Sequence, residues 1–293
     1  MSHNSPKQHT LWLLAALTAP LAHFSGCGWL TAAVTAAAIL PLTLIPKSWE
    51  GMAKPLALAE LLWLGASAGI LLQNSAVYWP SNNDWVVPLT LLTLAAVTAS
   101  ASAPRIGAVL AFCMTLTAVP LALSGAAHLE PDWLKPTASP WPAALTWPLL
   151  LANLPAGGER GNGRRLFLLG ALTAALAFLI QGTISPRVAA SVPDPFYQTA
   201  RTLGHLEPVA AAGVTLGWYA LAVLLIESGR QIAGTSGIGP KTSSVLLLGT
   251  ATGCVLFLRN QNGWFWTVLS TFLWVLIPFL HKLNSDEKVK NSA

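Results

Sequence analysis

Between Pro208 and Ile226 the chain runs through 19 residues without a charge, and the run closes only at Glu227. A helix of that length crosses the hydrocarbon of a bilayer. Thr215, Trp218 and Tyr219 lie inside it, among Ala211, Ala212, Gly213 and Gly217. Small residues let helices approach closely, and polar side chains among them need partners on the neighbours. The stretch therefore reads as a central bundle helix. An ionisable collar of Asp194, Tyr197, Arg201, His205 and Glu207 leads into it.

Composition extends that reading to the whole chain. Of 293 residues 54% are hydrophobic and only 9% are charged, against roughly 25% charged in soluble domains. Many of the 13 tryptophans stand where apolar runs end, among them Trp12, Trp29, Trp79, Trp85, Trp133, Trp141 and Trp264. Indole favours the membrane interface, because its ring is apolar and its N–H wants a polar partner. The expected fold class is an all-α polytopic membrane protein with a single transmembrane domain.

Ten apolar segments follow one another: 10–25, 29–46, 55–78, 85–100, 106–126, 141–157, 166–185, 208–226, 245–258 and 264–281. Residues 1–9 and 282–293 are polar ends. The first segment continues after Gly28 into a second, which favours an uncleaved first helix over a signal peptide. With the N-terminus inside, 12 of the 16 Lys and Arg residues fall in inner loops or tails and 4 outside. This positive-inside split supports ten crossings with both termini cytoplasmic, in a bacterial inner membrane. It also accounts for the net charge of +5 without nucleic acid. Ten helices divide into halves 10–126 and 141–281. With an odd number per half the second half is inverted, as in five-plus-five inverted-repeat transporters, whose sites lie where the first helix of each half breaks. Pro20 with Ser25, Gly26, Cys27 and Gly28, and Pro142, Pro148 and Pro155 with Gly157 and Gly158, are the corresponding interruptions. Proline is also tolerated in membrane helices generally, as at Pro41, Pro88, Pro120 and Pro278.

Several stretches resemble the B-subunit family of spore-germination receptors, a branch of the amino acid–polyamine–organocation transporter superfamily. They are Pro20 followed by Gly26-Cys27-Gly28-Trp29-Leu30, the run from Ser100 to Pro136, and Pro195 to Arg201 continuing through Leu206-Glu207. Together they cover roughly residues 10–230. Two features depart from the family pattern. Trp12 to Leu17 has no glycine break, and Gly204-His205 replaces an acid–arginine pair. The resemblance implies the membrane-embedded subunit of a germinant receptor, sensing a small amino acid-like ligand beside other receptor subunits. The alternatives are a secondary transporter of small amino acids or amines, and a structural membrane subunit that binds no solute.

Candidate site residues follow from the helix breaks and from polar groups at membrane depth. His23, Ser25 and Gly26 flank the first break; Trp147 and Asn153 lie on segment six; Thr215, Trp218 and Tyr219 lie on segment eight. Freed backbone donors and carbonyls at the breaks would hold a small zwitterion, and the aromatic rings would wall its apolar part. His23 is either a ligand contact or an interfacial histidine in water, and the aromatic residues also fit plain packing. Arg201 and Glu207 are candidates for gating the outer mouth. Glu60 either faces the cytoplasmic vestibule, pairs with Lys54 or Lys47, or is an end-of-helix charge reaching water, the last favoured; Glu227 with Arg230 is expected as a solvated pair. The middle of the bilayer is then free of charge, which argues against coupled transport. Gly213 and Gly217 share one helix face, Thr215 and Tyr219 a second. Gly229 is expected outside the packed contact.

No HExxH, GxSxG or P-loop pattern appears, so neither an enzyme nor a bound cofactor or metal is expected. The glycine-rich, basic run from Gly157 to Arg165 fits a cytoplasmic loop better than a phosphate cradle. Cys27, Cys113 and Cys254 have no CxxC spacing and read as small apolar residues.

Overall fold

The computed structural model describes residues 52–79, 83–101, 125–134, 171, 175, 178–192, 195–204 and 206–258. Four long helices carry these residues: α1 (Lys54–Gln73), α2 (Val86–Ala101), α5 (Glu207–Thr235) and α6 (Pro240–Phe257). Two short ones, α3 (Pro186–Ser191) and α4 (Pro195–Thr202), precede α5. Every helix and turn assigned among the described residues is helical in type. α1 and α5 are long and apolar enough to cross a membrane. Segments one, two, six and ten, both termini, and all of segment five but residues 125–126 fall outside the described residues. Only fragments of segment seven are described.

Caps rather than hydropathy set where the helices end. Segment eight was expected to stop at Ile226, yet α5 continues through Glu227 and Arg230 to Thr235. It stops where Gly237 takes φ +69°, and Ile238 N–H then donates to Ala233 O at 2.9 Å. That six-to-one bond needs a left-handed residue, which glycine supplies without a Cβ clash. Segment nine was expected from Val245, whereas α6 begins at Pro240, because Lys241, Thr242 and Ser243 form a polar first turn. Proline at the first helical position loses no hydrogen bond there. Gly204, noted above as a departure from the resembled family, closes α4 at φ +117°. An L side chain is strained in that conformation.

α1 and α5 lie antiparallel along their length. Lys54 reaches Gly237, Leu61 meets Gly229, and Trp79, just beyond α1, bonds Thr215. α1 and α6 run parallel and make the most extensive contact in the described chain. A Cβ at Gly65 would stand 2.5 Å from Leu247 O, and one at Gly69 would press on Ala251 O. So these glycines let one backbone rest directly on another. Four residues on, Gln73 Nε2 donates to Cys254 O at 2.8 Å and to Val255 O at 3.0 Å. These are carbonyls of the last turn of α6; Cys254 O also accepts from the capping Leu258 N–H at 3.1 Å. α2 packs chiefly on α5, while contact within the hairpins α1–α2 and α5–α6 is smaller.

Gly229 is a correction. It is buried, with a Cβ position 2.8 and 2.9 Å from the Leu247 side-chain ends and 3.3 Å from Leu61 Cδ2. The junction of α1, α5 and α6 closes over it, because α5 extends beyond its apolar run.

Candidate functional site

Buried residues encircle most of α5, from Ala210 through Ala233, so two sides of the helix can be compared. On one side its polar groups are occupied. Trp79 Nε1 donates to Thr215 Oγ1 at 2.8 Å, and the hydroxyls of Thr98 on α2 and Tyr219 share a buried hydrogen bond. Thr215 and Tyr219 do share a face of α5, as their spacing of four suggests, and that face seats the α1–α2 hairpin. Ligand contacts by either hydroxyl would compete with these bonds.

The other side follows from helix geometry. Leu61 and Gly229 touch, and successive residues of a helix are about 100° apart. In an antiparallel pair, the residue before the contact on each helix therefore turns to the same side. Those residues are Glu60 and Ser228. α6 lies on the opposite side, since Gly65 and Gly69 reach it there. Gly217 turns toward the Ser228 side as well, about 16 Å away along the helix at about 1.5 Å per residue.

Glu60 is the second correction. It is 5% exposed, not an end-of-helix charge in water. It lies a turn and a half into α1, amid Ala57, Leu61, Trp63 and Leu64, all buried. Its carboxylate makes no hydrogen bond or ion pair among the described residues. Ser228 is fully buried, and its Oγ has no partner. Arg230 turns toward α6, where its guanidinium donates to Ser244 Oγ at 3.4 Å. Lys54 and Lys241 are exposed at the same end of the bundle. The sequence offers Glu60 as a vestibule-facing or lysine-paired group but favours a solvated helix start, so it is left out of the candidate site. The signal that could have found it is the unbroken apolar context from Leu56 to Leu64 around a single acid.

Trp218 is fully buried. Arg201 is exposed at the end of α4, and Glu207 is half-buried in the first turn of α5. Near them the Tyr78 and Tyr197 rings meet at 5.7 Å and 58°. His23, Ser25, Gly26, Trp147 and Asn153 lie outside the described residues, as does the convergence of segments one, six and eight. Among the described residues no cluster of three or more His, Cys, Asp or Glu is placed to hold a metal ion. No family model matches the chain, and no curated protein matches it.

Proposed function

We propose that the chain is a multi-pass inner-membrane protein of five-plus-five inverted-repeat architecture that binds a small zwitterionic, amino acid-like solute. The observation that carries this reading is the exchange relation among the four long helices. Swap α1 with α5 and α2 with α6. The extensive α1–α6 contact then maps onto α5–α2, and the lesser α1–α2 contact onto α5–α6. Each swapped pair is antiparallel, which is the relation that an inverted repeat imposes. In ten-segment numbering these are segments three and eight, and four and nine, the equivalent members of the two halves.

Exposed side chains support a lipid environment. Val97 is 60% exposed on α2, Val245 71% and Phe257 82% on α6, and Leu62 and Leu94 also face outward. In water such surface on a bundle already lacking charge promotes association; in lipid it is the ordinary exterior of a helix bundle. Trp79 and Trp85, both exposed, fall at one end of it, as interfacial tryptophans do.

Within this class the resemblance favours the ligand-sensing subunit of a spore germinant receptor, acting beside other subunits. The buried carboxylate of Glu60 favours the second reading, a secondary transporter, because membrane-embedded acids commonly mark ion pathways. Binding and flux separate the two. Purified protein in proteoliposomes is given radiolabelled glycine or L-alanine with and without imposed ion gradients. The receptor reading expects saturable binding and little uptake. Rapid gradient-driven accumulation would establish transport instead, and neither binding nor uptake of any small amino acid would leave the structural-subunit alternative.

A further inference from the structure

We infer that Glu60 and Ser228 form an anionic site for a small monovalent cation, on the side of the α1–α5 pair turned away from α6. Two independent observations meet there. Glu60 is a carboxylate 5% exposed with no hydrogen bond or ion pair among the described residues. Ser228 is a hydroxyl at 0% exposure whose oxygen has no partner. Each stands one residue before the Leu61–Gly229 contact on antiparallel helices, so both share one depth and one side. A buried oxygen without a partner, as at Ser228 Oγ, is costly, and with the Glu60 carboxylate on the same side it gives a cation the oxygen ligands it seeks.

Among the described residues, the basic groups at that end of the bundle do not take the place. Arg230 points to Ser244 on the α6 side, and Lys54 and Lys241 are exposed. One negative charge with a neutral hydroxyl suits a monovalent ion; a divalent ion asks for more carboxylates. The shared chemistry has two sources, an alkali ion or the ammonium group of an amine. The inference rests on the proposed membrane bundle but not on amino acid binding.

The test uses the full chain, purified in nanodiscs in choline chloride buffer, with radiolabelled sodium and radiolabelled methylammonium as separate probes and no amino acid present. Wild type is compared with E60Q, S228A and D84N, the last removing the same charge from an exposed position in the loop before α2. Saturable binding is expected to wild type and D84N, weakened about tenfold or more in E60Q through loss of the charge and about threefold in S228A. Sodium binding identifies an alkali ion as the source; methylammonium binding without sodium identifies the ammonium group. If E60Q is not monodisperse, E60D and S228A carry the test, and both should bind more weakly than D84N. Binding unaltered in E60Q, or in E60D and S228A, would overturn the site, and so would binding of neither probe to folded wild type. Failure of amino acid binding alone leaves the cation readout intact, so this inference and the proposed function fail separately.

Discussion

The two sides of the α1–α5 pair are built on different principles. Toward α6 and the α1–α2 hairpin, backbone rests on backbone at Gly65 and Gly69, and polar groups meet polar groups. Gln73 holds the end of α6, Trp79 holds Thr215, and Thr98 holds Tyr219. On the Glu60–Ser228 side, Ser228 Oγ is buried without a partner. A satisfied polar seam fixes helices against one another. An unsatisfied one carries a cost that persists where it serves a function. The contrast sets a satisfied seam on one side against the side where the proposed cation site lies.

The contrast breaks most readily at the backbone contacts. Gly65→Leu or Gly69→Leu should cost about 3 kcal/mol or more, because the new side chain meets main chain that cannot rotate away. Loss of a monodisperse peak in detergent, or a large fall in melting temperature, would register it; a stable variant would mean α1 and α6 are not in backbone contact. Gly229→Leu should follow at about 1–3 kcal/mol, less severe because the obstacles are Leu247 and Leu61 side-chain ends. Gln73→Leu removes the side-chain donor to Cys254 O and Val255 O, of which Cys254 O keeps the Leu258 N–H, and should cost about 1–2 kcal/mol in thermal unfolding. Trp79→Phe and Tyr219→Phe should each cost about 1 kcal/mol. If that side is scaffold, they do so with solute affinity unchanged, and a selective loss of affinity would move Tyr219 back into the binding site. Smallest is Gly249→Ala on α6, where nothing lies within 4 Å of the new methyl. It should be neutral or stabilising by up to about 1 kcal/mol through helix propensity.

Much of the helical layout was legible in the sequence. The apolar segments expected at 55–78, 85–100, 208–226 and 245–258 each correspond to a described long helix, because an uncharged run is a direct record of burial or lipid exposure. Helix ends were less legible. Polar turns at Glu227–Thr235 and Lys241–Ser243 extend helices past their apolar runs, and only Gly237 marks the stop. Side assignment was least legible. Thr215 and Tyr219 were rightly placed on one face, but which neighbour that face meets depends on how helices cross, which spacing within one helix does not contain. The same limit hid Glu60. One acid near a lysine reads as solvated until a second helix is laid over it.

The inverted arrangement is tested most directly by the sidedness of the two bundle ends. Single cysteines at Asp84 and at Lys241, in a chain with Cys27, Cys113 and Cys254 replaced by alanine, are treated in intact cells with a membrane-impermeant maleimide. Asp84→Cys, in the loop between α1 and α2, should label from outside; Lys241→Cys, in the first turn of α6, should label only after permeabilisation. Labelling of both from the same side, or of neither until the cells are opened, would contradict a membrane-crossing inverted bundle.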